Sequence, residues 1–141
     1  MHQFDFKNKT AVITGGARGF GLDIAKKFLS SGAKVFIWDI DENELIKATK
    51  EINNSNLEYN LVDVSNFQQI ENTVKKIITN NKIDILINNA GITGPTTELW
   101  NYNNDDWNKI IEINLHGTFY CCKTIVPYML KQRYGRIVNI A

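Results

Sequence analysis

The sequence predicts an α/β fold in which an open, doubly wound parallel sheet is covered by helices on both faces. Three observations predict it. Short apolar segments rich in β-branched residues alternate with amphipathic helical segments, a glycine-rich turn joins the first such pair, and polar residues follow the ends of the apolar segments. Alternation of this kind requires parallel strands joined by right-handed crossovers. The expected strand order is 3-2-1-4-5.

Composition suits one soluble domain and argues against several kinds of partner. The chain has 141 residues, 43% of them apolar, with 16 basic and 15 acidic residues and a net charge of +1. A charge this close to zero offers no field that would attract nucleic acid or an anionic membrane. Residues 1–5 lack the features of a secretory leader, and no apolar run could span a bilayer. A cytoplasmic location is therefore expected.

The few cysteines and histidines do not predict a metal site. Cys121 and Cys122 are neighbours in the sequence and cannot easily reach disulfide geometry. His2 and His116 are not at zinc-finger spacing from them. The two thiols are expected to fill the core.

Strands and helices are expected in regular alternation, with the last strand near an exposed edge. The first helix is expected to end at Ser31 and Gly32, with an inward face formed by Ile24, Ala25, Phe28 and Leu29. The third helix is expected to begin with a capping box in which Ser65 pairs with Gln68. The predicted strands cover residues 9–14, 34–38, 57–62, 84–87 and 136–141. The second helix is expected over residues 41–53 and the fourth over residues 105–131.

The fourth predicted helix carries one polar residue on an apolar stripe. That stripe, which ought to face the core, consists of Trp107, Ile110, Ile111, Asn114, Thr118, Cys121 and Ile125. A buried amide without partners costs on the order of a few kcal/mol, so Asn114 must be either structurally satisfied or in functional use. Pro127 lacks a backbone donor and predicts a bend near the helix end.

The glycine-rich turn between the first strand and the first helix indicates where a pyrophosphate would lie. Gly15 permits the tight turn, Gly19 lets backbone N–H groups approach a phosphate, and Gly21 allows the helix to pack closely on the sheet. The helix N-terminus would then face the anion. A plain strand-to-helix turn is the alternative, since glycines gather at such turns.

Polar residues after the other strands converge on the same edge of the predicted sheet. Asp39 is suited to accept hydrogen bonds from a ribose, although capping of the following helix would also explain it. The negative charge of Asp39 would repel the additional phosphate of NADP, so this residue favours NAD. Arg18 in the glycine turn could pair with that phosphate, so it favours NADP. The repulsion is expected to prevail. The run of four residues 88–91 combines two amides with two small residues, which leaves room for a flat ring.

Taken in order, these motifs resemble the short-chain dehydrogenase/reductase family, in the compact form of 3-oxoacyl-carrier-protein reductases and many sugar and alcohol dehydrogenases. The resemblance implies a Rossmann-type sheet. It assigns Gly15, Arg18, Gly19, Phe20 and Gly21 to the pyrophosphate and adenosine, Asp39 to the ribose, Asp63 and Val64 to the adenine, and Asn89, Ala90 and Gly91 to the nicotinamide half. Asn114 would be the fourth catalytic residue, which holds a helix kink and a water of the proton relay.

The other three catalytic residues that the resemblance implies do not occur in the chain. In the family, the strand that matches residues 135–141 leads to a serine, then a tyrosine with a lysine four positions later. Here no serine follows Ser65, and no tyrosine has a lysine four positions later. We therefore expect a C-terminally truncated, NAD-dependent oxidoreductase of hydroxyl or carbonyl substrates, with an incomplete sheet and cofactor binding without turnover. The alternatives are a non-catalytic nucleotide-binding module and a non-functional fragment. Homo-oligomerisation through the helix at 105–131 is a further possibility.

Overall fold

The computed structural model of the chain describes residues 4–141; Met1, His2 and Gln3, on which the expected absence of a leader partly rests, lie outside the described residues. The strands are β1 (Thr10–Thr14), β2 (Lys34–Asp39), β3 (Leu57–Leu61), β4 (Ile85–Asn88) and β5 (Arg136–Asn139). The α-helices are α1 (Gly19–Ser30), α2 (Glu42–Ile52), α3 (Phe67–Asn80), α4 (Asn104–Ile111) and α5 (Gly117–Lys131). Within residues 4–141, every helix is too short or too polar to cross a lipid bilayer.

The five strands form one parallel sheet in the order β3-β2-β1-β4-β5, which confirms the predicted topology. Val12 at the middle of β1 lies opposite Phe36 on β2 and Leu86 on β4. The chain runs outward from β1 in one direction through β2 and β3, then returns to place β4 on the other side. The switch point, where ligands of such sheets bind, therefore lies between the carboxyl ends of β1 and β4.

Two hydrophobic layers hold the helices against the sheet. Alternate residues of each strand point to opposite faces, so Ile13 packs towards α1 and α2, and Val12 packs towards α3 and α5. Both side chains are fully buried, and each such burial stabilises the fold by about 1.5–3 kcal/mol. Cys121 and Ile125 on α5 are buried in the second layer, as predicted.

The expected capping box at the start of α3 is wrong. The helix begins at Phe67, and the Asn66 side chain caps it by accepting a hydrogen bond from the Gln69 backbone N–H at 3.1 Å. The Ser65 hydroxyl instead donates to the Asp63 carboxylate at 2.6 Å. A turn directly after β3 thus occupies Ser65, and the cap moves one residue along the chain.

The helix expected over residues 105–131 is interrupted. A π-helical turn at Glu112–His116 separates α4 from α5. A π turn takes up one residue more than an α turn, so a single apolar stripe cannot continue through it. Trp107 is 51% exposed and Asn114 is exposed as well, contrary to the expected core positions. Pro127 lies inside α5, and the bend expected there stays a prediction.

Candidate functional site

The glycine turn after β1 is drawn tightly onto the end of β4. Gly15 adopts φ +61°, a left-handed conformation that favours glycine, and a Cβ on it would lie 2.9 Å from the Cα of Ala90. A Cβ on Gly21 would overlap the Gly15 carbonyl oxygen and the Asn89 side-chain amide. The turn, the first residues of α1 and the end of β4 therefore form one close-packed unit at the predicted switch point.

The N-terminus of α1 has no cap of its own. Arg18 occupies the N-cap position in an extended conformation without a side-chain hydrogen bond, and the first turn contains no acidic residue. By contrast, Asp41, Asn66 and Asn103 cap α2, α3 and α4. A Cβ on Gly19 would meet no atom within 4 Å, so the space before the helix is open. Unpaired N–H groups and the positive end of the helix dipole make this position suitable for an anion.

Thr14 joins β1 to β4 through its side chain, a role that the sequence analysis did not assign. Its hydroxyl oxygen accepts hydrogen bonds from the backbone N–H groups of Asn89 at 3.0 Å and Ala90 at 2.9 Å. In return, the Asn89 side-chain amide donates to the carbonyl oxygens of Thr14 at 3.1 Å and Gly15 at 3.0 Å. These bonds hold the main chain at residues 89 and 90 beside the glycine turn.

Asp39 supports the glycine turn and also remains available to a ligand. Its carboxylate accepts hydrogen bonds from the backbone N–H groups of Ala17 at 3.3 Å and Asp41 at 3.2 Å. The residue is only 9% exposed, at the end of β2. The cap of α2 is Asp41 rather than Asp39, so Asp39 supports the turn before the helix instead of capping it. A carboxylate has about four acceptor positions and two are used, which leaves acceptor capacity for a ligand.

A cleft of about 310 Å³ opens at this edge of the sheet, within the size range of ligand sites. The structure brings nine of the eleven predicted cofactor-binding residues together there. Those lining the cleft are Gly15, Arg18, Phe20, Asp39, Asp63, Val64, Asn89, Ala90 and Gly91. Gly19 and Gly21 do not line it.

Four apolar residues of the cleft were missed by the sequence analysis, namely Ile40, Val62, Ile92 and Ile113. Three of them directly adjoin predicted polar positions in the chain, which is the signal that could have found them. Such residues would supply apolar surface to a flat ring, as is usual in ligand sites.

Asn114 lies outside the cleft lining and holds one wall of it. Its side-chain amide donates to the Ile92 carbonyl oxygen at 2.9 Å and accepts from the Ile92 backbone N–H at 2.9 Å. The expected burial is wrong, because the π turn carries Asn114 to the surface. Both the nitrogen and the oxygen of the amide nevertheless bond to Ile92, which holds the loop after β4.

The buried Cys121 thiol is expected to be unreactive. Burial raises the pKa of the Cys121 thiol to about 12, with a smaller contribution from the neighbouring Cys122. A thiol that stays protonated is a poor nucleophile and a poor metal ligand. In the part of the chain that the structure describes, no three His, Cys, Asp or Glu side chains are placed to hold a metal ion.

Comparison with known proteins gives consistent matches along nearly the whole chain. The sequence model of the family described as short chain dehydrogenase matches residues 9–141. The chain is 37% identical over 137 residues to a 2-dehydro-3-deoxy-L-rhamnonate dehydrogenase (NAD(+)) of Sphingomonas sp. (strain SKA58), which covers 96% of this chain and 54% of that protein. It is 38% identical over 136 residues to a 3-oxoacyl-acyl-carrier-protein reductase FabG of Chlamydia pneumoniae, and the match covers 94% of this chain and 54% of that protein.

Solved structures also match nearly the whole chain. A crystal structure of NAD+-bound xylitol dehydrogenase superimposes with a TM-score of 0.90 at 30% sequence identity, over 95% of this chain and 53% of that chain. The chain therefore spans about half the length of the relatives that it matches.

Proposed function

Because the chain belongs to the short-chain dehydrogenase family, we propose that residues 1–141 form the dinucleotide-binding part of an oxidoreductase. The reaction would transfer a hydride between nicotinamide and a hydroxyl or carbonyl group of a small molecule. One observation carries the proposal: the uncapped N-terminus of α1 lies beside a cleft that also contains the Asp39 carboxylate. An anion-binding helix end beside a ribose-binding carboxylate matches the two polar parts of an adenine dinucleotide.

Each part of the dinucleotide has a complementary part of the cleft. The turn from Gly15 to Gly21 would receive the pyrophosphate, and Asp39 would accept hydrogen bonds from the adenosine ribose. Asp63 and Val64, together with the apolar Ile40 and Val62, would border the adenine. The nicotinamide half would lie against Asn89, Ala90, Gly91 and Ile92. The bound cofactor supplies the hydride or accepts it.

NAD is the proposed cofactor rather than NADP. The Asp39 carboxylate is held in place by two backbone N–H groups and cannot easily turn away from an additional phosphate. Arg18 is exposed, so its attraction to that phosphate is screened by water. Similarity to a relative named as NAD(+)-dependent and to an NAD+-bound structure also favours NAD.

Calorimetric titration of purified residues 1–141 with NAD tests the proposal. Gly19→Trp places a bulky side chain in the open space before α1 and should abolish binding. Asn53→Trp is the matched control, because Asn53 also has a positive φ and is exposed, at the C-terminal end of α2 and outside the cleft lining. Loss of NAD binding in both variants, with both still folded, or no binding by the parent chain would overturn the proposal.

Turnover by residues 1–141 alone is not expected, since no tyrosine in them has a lysine four positions later. NADH oxidation with a panel of carbonyl compounds, above the Gly19→Trp background, would contradict this. A non-catalytic nucleotide-binding module and a non-functional fragment are the alternatives. Tight NAD binding with a cooperative melt supports the module, whereas an aggregated chain without binding supports the fragment.

Self-association through the helical segment 105–131 is a further part of the proposal. Trp107, Leu115 and Phe119 expose more than half of their surface on this segment. Large apolar side chains that are exposed to this degree are typical of protein interfaces. Sedimentation analysis of the parent chain and of the Phe119→Asp variant measures self-association. If both are monomeric, self-association through this segment is refuted.

A further inference from the structure

The loop between β4 and α4 forms one wall of the cleft and is fixed at two points. The first is the pair of hydrogen bonds between the Asn114 side chain and the Ile92 backbone. Gly91 adjoins the same amide, since a Cβ on it would lie 3.3 Å from the Asn114 oxygen. Gly91 and Ile92 both line the cleft. The shape of this wall therefore depends on how the loop is held.

The second point is a cradle around Gly94. A Cβ on Gly94 would overlap both the Tyr102 hydroxyl and the δ-methyl group of Ile110. Tyr102 and Ile110 thus press directly on the main chain two residues after Ile92. Pro95 follows Gly94 and further restricts the glycine to extended conformations.

Tyr102 is itself held by an aromatic contact. Its ring packs edge-on against Trp107 of α4, with centroids 6.2 Å apart and an interplanar angle of 86°. The residue lies at the junction between a short 3-10 turn (Leu99–Asn101) and Asn103, which caps α4. The ring is therefore anchored to the start of α4, and its hydroxyl end reaches back to the loop.

We propose that Tyr102 is a positioning residue that holds Gly94 in place. Through Gly94 it also fixes the wall formed by Gly91 and Ile92, against which the nicotinamide half of a bound dinucleotide would lie. Tyr102 does not line the cleft. The inference rests on the proposed function for its ligand, but the packing of the loop does not depend on it. A rigid wall reduces the ordering cost of binding, because the loop is already in its bound position.

Two variants remove this contact in different ways. Tyr102→Ala deletes the ring, and Gly94→Val forces it aside. Tyr102→Phe keeps the ring against Trp107, and Trp100→Ala is the matched control, since Trp100 lies in the same loop and is 83% exposed. Hydrogen exchange of the Ile92 amide reports on the loop, and the Kd values of NAD and ADP-ribose, which lacks nicotinamide, report on the cleft.

In Tyr102→Ala and Gly94→Val, Ile92 exchange should accelerate and the Kd of NAD should rise, each by about two- to tenfold, the range expected for loss of one aromatic contact. The Kd of ADP-ribose should not change, and Trp100→Ala should resemble the parent chain. Tyr102→Phe keeps the ring but loses the hydroxyl that meets Gly94, so its changes should be smaller than those of Tyr102→Ala. Unchanged Ile92 exchange in Tyr102→Ala, or equal weakening of both ligands, would overturn the inference. If the parent chain binds neither ligand, the proposed function fails, and Ile92 exchange alone decides whether Tyr102 holds the loop.

Discussion

Replacement of Thr14 by valine should destabilise the protein far more than its nearly identical shape suggests. Valine keeps the volume and the β-branched form of threonine, so packing at this 2% exposed position is preserved. It removes the one oxygen that accepts from the backbone N–H groups of Asn89 and Ala90. An unpaired buried donor costs about 1–3 kcal/mol. With two donors that are only partly shielded from water, we expect a loss of about 2–4 kcal/mol in the free energy of unfolding.

Urea denaturation followed by circular dichroism measures this loss. Thr124→Val is the matched control, because the Thr124 hydroxyl donates to the Tyr120 carbonyl oxygen inside α5 and leaves no donor unpaired when removed. That change should stay within about 0.5 kcal/mol. Thr14→Ser retains the oxygen and should lose only about 1 kcal/mol for the missing methyl group. The reasoning is refuted if Thr14→Val costs no more than Thr124→Val, or no more than Thr14→Ser.

Three further changes have defined outcomes. Asp39→Asn should lower the ratio of the NADP Kd to the NAD Kd by about fivefold or more, since two unit charges 4 Å apart repel by about 1 kcal/mol even in water; calorimetry giving an unchanged ratio would contradict the proposed role. Gly21→Ala should lower the free energy of unfolding by about 1–3 kcal/mol and weaken NAD binding, because its Cβ overlaps the Gly15 carbonyl oxygen; urea melts equal to those of the parent would disprove the close packing. Cys121 should resist thiol reagents in the folded protein. Its pKa is raised from 9.0 to about 12, so between these pH values the folded state keeps a proton that the unfolded state has lost. The free energy of unfolding should therefore fall as the pH rises through that range. Cys121→Ala should reduce this slope, and an identical slope would count against the burial effect.

Several elements could be predicted from local patterns in the sequence. The short apolar runs of the buried strands and the apolar stripes of α1 and α2 are short-range features, so the order of elements and the topology could be predicted from them. Glycine spacing, the polar strand ends and the family resemblance together predicted nine residues that line the cleft. Local patterns failed where hydrogen bonds compete: the cap of α3 moved from Ser65 to Asn66, because Ser65 bonds to Asp63 instead.

The sequence by itself determined the α/β class, the family and the edge of the sheet at which a ligand would bind, because each depends on residues a few positions apart. Only the tertiary structure decided what Thr14 and Asn114 do. Thr14 and Asn89 are 75 residues apart in the chain, and Asn114 and Ile92 are 22 apart. Contacts at such distances form only after the strands have been brought side by side, so no local period encodes them. Asn114 lies within the π turn at Glu112–His116, which the helical period of the sequence did not predict.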